Sequence, residues 1–209
     1  MSSDPLLTPF TIKNLTLRNR IVSTSHERSY SEDGLTKDRY RAYHVAKAKG
    51  GVGLTMIGGS SIVSRESAPA FGNLQLWKDE AEHWLRLLTD EVHDHGAAVM
   101  IQLTHLGHRS SSYSGDWLPT ISVSAVRERA HRSFTKEAED WDLDRIKSDY
   151  VLAAQRCVAA GMDGKRDVVA GQRFINRPPF APAERDFPHA ERHSLHKAMV
   201  RRQAFDLGD

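Results

Sequence analysis

The chain has 209 residues, 39% of them hydrophobic and 27% charged, with 14 glycines and eight prolines, a mixture that belongs to a globular protein and excludes collagen, coiled coil and general disorder. Its 29 Lys and Arg against 27 Asp and Glu leave a formal charge of only +2, so no whole-chain field draws it to nucleic acid or to an anionic membrane. No run approaches a membrane span, the first twenty residues carry Asp4, Lys13, Arg18 and Arg20 with no apolar leader, and the lone Cys157 forms no internal disulfide, so a cytoplasmic protein is expected.

In chain order, Phe10 to Ile12 and Leu15 to Leu17 alternate apolar and polar side chains around Lys13-Asn14, which predicts a short hairpin. Residues 20 to 25 form a β-branched run that reads as a first buried strand. Thr36 is then the expected N-cap of a helix over about 37 to 49, with Tyr40, Tyr43 and Ala46 to Ala48 toward one side and Gly50-Gly51 as its stop. Val52 to Ile57 is a second strand. Trp84, Leu87, Leu88, Glu91 and Val92 mark a second helix within 79 to 95, and Ala97 to Leu103 a third strand. A long connection, 104 to 140, leads to a third helix over about 142 to 160, whose apolar face includes Ile146, Ala153, Ala154 and Cys157; Asp163-Gly164 introduces strand four.

Strands that alternate with helices predict parallel pairing with helical crossovers, hence an α/β fold that starts like a barrel. The chain is nevertheless shorter than the roughly 250 residues typical of a closed eight-stranded barrel. The expected architecture is therefore the N-terminal half of a TIM (β/α)8 barrel, preceded by the hairpin and followed by an irregular tail. Residues 1–164 form the partial barrel; residues 165–209 hold four of the eight prolines, nine Lys and Arg against six Asp and Glu, and no apolar period. That tail reads as out-of-frame or foreign sequence.

Chemistry in such folds gathers beyond the carboxyl ends of the strands. Three constellations fall there: Thr24-Ser25-His26-Glu27-Arg28, Gly58-Gly59-Ser60-Ser61, and Gln102-Leu103-Thr104-His105-Leu106-Gly107-His108-Arg109. Adjacent glycines admit a close backbone approach, and a glutamine amide both donates and accepts, so together they suit a flat cofactor with a polar edge. His93, His95, His105 and His108 show no metal-ligand spacing on one helix face and read as solvated or structural. Arg201-Arg202 with His193, His196 and Lys197 read as a solvated tail, and no nucleic-acid partner is expected.

Pro9-Phe10-Thr11-Ile12 through Leu17-Arg18-Asn19-Arg20-Ile21-Val22, then Gly50-Gly51-Val52-Gly53-Leu54, Gln102-Leu103-Thr104-His105-Leu106-Gly107 and Ala159-Ala160-Gly161-Met162-Asp163-Gly164 resemble the Old Yellow Enzyme-like family of FMN-dependent oxidoreductases. The likeness covers about residues 5 to 164. Within the family it is nearest the branch of dienoyl-CoA reductases, trimethylamine dehydrogenases and N-methylproline demethylases. The resemblance implies that the backbone at Thr24, Ser25 and His26 lies beside the flavin, that Gly58 and Gly59 pass its pyrimidine side, and that Gln102 hydrogen-bonds the pyrimidine edge. It implies FMN as cofactor, NAD(P)H as electron donor and a small-molecule substrate.

Departures from the family pattern are equally plain. Glu27 stands where many relatives carry Thr or Cys, and a carboxylate there disfavours an anionic reduced flavin unless it turns away or is protonated. His108 replaces the usual Arg, with Arg109 one place later. After Asp163-Gly164 comes Lys165-Arg166-Asp167-Val168 rather than the segment that supplies the family's substrate-anchoring His and Asn or His pair, and the later strands are missing. No iron–sulfur cluster is supported by this chain. The expectation is an FMN-binding oxidoreductase piece that is weak or inactive alone and that self-associates through open sheet edges. Two alternatives stand beside it: a catalytically dead half-barrel fragment, and a non-redox barrel piece that binds a phosphorylated metabolite.

Overall fold

The computed structural model describes residues 4–67, 72–110, 119–125, 127 and 134–169. These belong to the first of two compact units, Met1–Gln172; the second, Arg173–Asp209, lies outside the described residues, as does the expected tail beyond Val169.

The hairpin forms as expected: β1 (Phe10–Ile12) pairs antiparallel with β2 (Leu15–Leu17), and Lys13 takes the left-handed turn position at φ 53°. Four strands then build one parallel sheet in the order β3 (Val22–Ser23), β4 (Leu54–Ile62), β5 (Ala98–His105) and β8 (Gly164–Val169). A helix follows each of the first three: α1 (Asp38–Lys49), α2 (Ala81–His93) and α3 (Asp140–Ala159). This open α/β sheet is the expected half barrel. The first strand is shorter than its β-branched run, whereas the second and third run on to Ile62 and His105.

Two local expectations are corrected. The N-cap of α1 is Lys37, not Thr36; the Lys37 side chain turns to Asp33 at 2.5 Å, and no side chain caps the helix amides. The face of α1 that is buried carries Tyr40, His44 and Ala48, one residue per turn, so Tyr43 lies to its side. In addition, the connection 104–140 contains β6 (Thr120–Ser122) and β7 (Thr135–Glu137), which pair parallel as a short ribbon.

Alternation along the central strands sorts the core into two layers. Ile57, Val99, Ile101 and Leu103 face the helices and pack against Leu85, Leu88, Val92, Ala153, Ala154 and Cys157. Leu54 and Ala98 face the other way, onto Leu17 of the hairpin, with Leu15 and Met100 at their edge. The hairpin thus closes the lower end of the sheet.

Arg18 and Asn19 hold it there. The Arg18 guanidinium donates to the carbonyls of Ala48 (2.6 Å), Val52 (2.8 Å) and His95 (2.7 Å), which ties together the chain at the ends of two helices. Asn19 donates to the Gly51 carbonyl at 2.7 Å and accepts from the Ile21 amide at 3.0 Å. Among the described residues no helix is long and apolar enough to cross a membrane.

His44 is enclosed between α1 and β4, 2% exposed, with Nδ1 2.8 Å from Thr55 Oγ1 and its ring stacked on Tyr40. Burial pushes its pKa down from 6.5 to about 3. The unfolded chain therefore takes up a proton that the folded chain refuses, and stability present above pH 6.5 falls as the pH drops toward 3. Denaturant titrations across this window are expected to show a His44 contribution of about 1 kcal/mol per pH unit. His44→Gln removes that slope; an unchanged slope in the variant contradicts the assignment.

Candidate functional site

The three strand ends singled out in the sequence meet at one carboxamide. Gln102, near the end of β5, accepts at Oε1 from Ser25 Oγ (2.6 Å) and donates from Nε2 to the Gly59 carbonyl (2.5 Å). Since the Gly59 oxygen only accepts, the amide nitrogen must face it, which fixes the orientation of the group. One Gln102 N–H and one oxygen lone pair are left over. That donor and acceptor match the donor and acceptor of a flavin pyrimidine edge, so the residues present fit the cofactor implied by the sequence.

Gly58 and Gly59 make this meeting geometrically feasible. The pairing of β4 with β5 shifts between Ile57 and Ser61, so the segment Gly58 to Ser60 bulges out of register. Gly58 adopts φ +79°, and a Cβ there would lie 1.9 Å from Ser61 Oγ. Its amide donates to Tyr40 Oη at 2.9 Å. A Cβ on Gly59 would lie 2.5 Å from the backbone nitrogen of Glu27 and 3.0 Å from the carbonyl carbon of His26. Gly58 thus lets the strand bulge over Ser61, and Gly59 lets the bulge touch the loop after β3.

In that loop Thr24 and His26 are exposed and Ser25 is half-buried. Glu27 turns inward: Oε1 accepts from the Ser29 amide at 2.9 Å. Burial pushes its carboxyl above the ordinary carboxylate range, against the pull of the Ser29 and Arg28 amides and of Asn73. The carboxylate that stands where the resemblance implies Thr or Cys is therefore engaged by the Ser29 amide, with its pKa raised by burial.

A second cluster lies at the same end of the sheet. Glu66, just beyond β4, receives both terminal nitrogens of Arg145 from α3, at 2.8 and 2.9 Å, and lies 3.1 Å from His105 Nε2. Burial opposes ionisation of Glu66, but the hydrogen bonds from His105 and Arg145 outweigh it and hold the pKa at about 2. Asp149 accepts from Ser64 at 2.6 Å and from Arg145 at 3.2 Å. His108 and Arg109 occupy the short turn Gly107–Arg109 that follows His105. At the opposite end, His93 Nε2 lies 2.7 Å from Asp163 Oδ2, which also accepts from the Val99 amide at 2.7 Å, so Asp163-Gly164 anchors α2 to the start of β5. Among the described residues no group of three His, Cys, Asp or Glu is arranged to hold a metal.

Ser25, expected beside the cofactor through its backbone, also holds Gln102 through its hydroxyl. Tyr40, Glu66 and Arg145 were not anticipated. The spacing of Arg145 and Asp149, four apart on a helix, is a usable signal, but Glu66 lies 79 residues from Arg145 and no local pattern joins them.

An open parallel α/β sheet with a fixed carboxamide among its carboxyl ends is a part-barrel scaffold with a polar strand-end site. The chain belongs to the NADH:flavin oxidoreductase / NADH oxidase family, whose pattern matches residues 5–168. It is 56% identical over 164 residues to a probable N-methylproline demethylase from Rhizobium meliloti, a match that spans 78% of this chain and 24% of that protein. It is 48% identical over 163 residues to a multifunctional alkene reductase/demethylase OYE from Caballeronia cordobensis, again over 78% and 24%. Morphinone reductase, solved in complex with tetrahydroNAD, shares the fold with a TM-score of 0.79 at 20% identity, over 95% of this chain and 60% of that one. The chain thus spans about a quarter of the length of the curated relatives named here.

Because the Gly59 Cβ direction is filled by backbone rather than by a flexible side chain, Gly59→Ala forces the loop after β3 away from the bulge. The expected loss is about 1–3 kcal/mol in denaturant unfolding. Stability equal to that of the parent chain would show that the two segments do not meet.

Proposed function

We propose that the chain supplies the pyrimidine-side wall of an FMN site in an NAD(P)H-dependent oxidoreductase of the ene-reductase or amine-demethylating kind, acting on a small molecule, and that alone it turns over weakly or not at all. The observation that carries this reading is the Gln102 carboxamide, held by Ser25 and Gly59 with one donor and one acceptor to spare. FMN, when bound, supplies the relay of a hydride between donor and acceptor.

The chain's own residues bind and orient. Gln102 offers its remaining N–H and lone pair to the pyrimidine edge, and Ser25 and Gly59 keep the amide from rotating, so no ordering cost falls on binding. The backbone of Thr24, Ser25 and His26 and the bulge at Gly58 and Gly59 line the same wall. Glu27 accepts from the Ser29 amide, and burial raises its pKa, which makes a charge beside this wall less favourable than at an exposed carboxylate. The anchoring His and Asn or His pair of the family has no counterpart in Lys165-Arg166-Asp167-Val168, which supports weak or absent turnover. The activities of these two relatives, demethylation and alkene reduction, support the choice of reaction class.

Two outcomes are expected of the 209-residue chain. It takes up FMN in an absorbance or fluorescence titration, and Gln102→Ala weakens the uptake by about 1–3 kcal/mol because a buried polar edge loses its partner; equal affinity sinks the site assignment. In sizing chromatography with light scattering it associates, since β3 and β8 are the edges of the described sheet and a barrel of this type closes with eight strands. A monodisperse monomer with a cooperative melt would count against self-association.

A further inference from the structure

The Glu66, Arg145 and His105 cluster lies outside the Gln102 cross-link and takes no part in the proposed binding of FMN. Its hydrogen bonds determine a protonation state. The Gly107 amide donates to His105 Nδ1 at 3.1 Å, so Nδ1 carries a lone pair. The proton of the neutral ring then sits on Nε2 and is donated to Glu66 Oε1 at 3.1 Å. Both side chains are almost wholly buried, 7% and 6% exposed.

A buried carboxylate against an imidazole ordinarily draws a second proton onto the ring. Here that proton would occupy Nδ1 and expel the Gly107 amide. Arg145 meets the charge of Glu66 with two parallel hydrogen bonds instead. The other charged groups facing it are Asp149 at 3.2 Å and Asp142 at 3.9 Å, the latter paired with Lys136 at 2.6 Å. The neighbouring Ser67 hydroxyl accepts from the Leu106 amide at 2.8 Å, so the segment Ser64 to Ser67 grips the turn after β5 twice.

We propose that Arg145 is a positioning residue that keeps His105 neutral and Nε2-protonated, and through His105 fixes the turn Leu106 to Ser110 at the mouth of the sheet. The turn carries His108 and Arg109, a few residues beyond Gln102 along the chain. Its bearing on ligand binding rests on the flavin reading above; the state of His105 does not.

The test is long-range proton–nitrogen NMR of the 15N-labelled 209-residue chain near neutral pH, with His105 assigned through His105→Gln. The expected spectrum shows His105 neutral with the proton on Nε2. In Arg145→Met it becomes an imidazolium, and the Gly107 amide exchanges about tenfold faster for want of its acceptor. Arg145→Lys keeps the ring neutral, and the double variant Glu66→Gln with Arg145→Met restores the neutral ring by removing both charges. A wild-type ring protonated on Nδ1, or an Arg145→Met ring unchanged from wild type, overturns the proposal. Should Arg145→Met not fold, the wild-type spectrum and the double variant decide it. Expected spectra in a chain that takes up no FMN would remove the flavin reading and leave this one supported.

Discussion

The upper end of the sheet depends on the Gln102 carboxamide. Three strands that are consecutive in the sheet end at different heights, and a side chain joins the loop after β3 to the other two. Gln102 supplies a rigid planar connector that accepts from the loop after β3 and donates to the β4 bulge. For it to reach both, β4 must leave its register with β5, and that departure needs a residue at φ +79° and a second with no Cβ. Gly58 and Gly59 are consequences of the cross-link rather than independent features. Tyr40 completes the arrangement from α1 by accepting the Gly58 amide freed by the bulge, and its burial pushes the phenol pKa far above the ordinary value, which keeps it an uncharged partner.

The lower end is governed by the same economy of free backbone groups. Parallel strands joined by helices leave helix C-terminal carbonyls at the bottom of the sheet, where water and the incoming strands compete for them. Arg18 collects the carbonyls of Ala48, Val52 and His95 in one planar fork, and Asn19 takes that of Gly51. The hairpin that carries them can then seat Leu17 under Leu54 and Ala98. The sheet is pinned below by a guanidinium and above by a carboxamide, while the apolar layer between the pins faces the helices.

Most of this frame was legible in the sequence because it is periodic. The hairpin, three helices and four strands follow from spacings of two and of 3.6, and the family motifs mark the same places. The errors fall where a local rule met a tertiary contact. Thr36 has the right side chain for an N-cap, yet Lys37 takes the position while its side chain is held by Asp33. Gly58-Gly59 looks like the end of a strand, yet β4 resumes after the bulge because Ser61 and Ile62 pair with Leu103 and Thr104. The ribbon of β6 and β7 is three residues per strand, too short for an alternation to show. Of the candidate site, Gln102, Ser25 and Gly59 were legible as strand-end residues, but their mutual hydrogen bonds were not, since they span 43 and 77 residues of chain.

Two glutamates at the mouth, Glu66 buried and Glu27 half-buried, show how partners as well as burial set the direction of ionisation there. Glu27 and Glu66 both suffer desolvation, and for both it is the largest single influence. Glu27 is met only by amides, which weaken the penalty without cancelling it, so its carboxyl stays above the ordinary range and ionising it works against the folded state as the pH rises. Glu66 is met by a guanidinium and an imidazole N–H, which overturn the penalty. Its contribution to stability is complete above the ordinary 4.5 and disappears as the pH falls toward 2. The mouth is therefore built from one acid disposed to be neutral, on the wall that Gln102 shares, and one held ionised, on the helix side where Arg145 can reach it. Glu66 is enclosed by its own counter-ions, whereas burial pushes the Glu27 carboxyl above the ordinary range, and Gln102 between the strand ends is an uncharged amide.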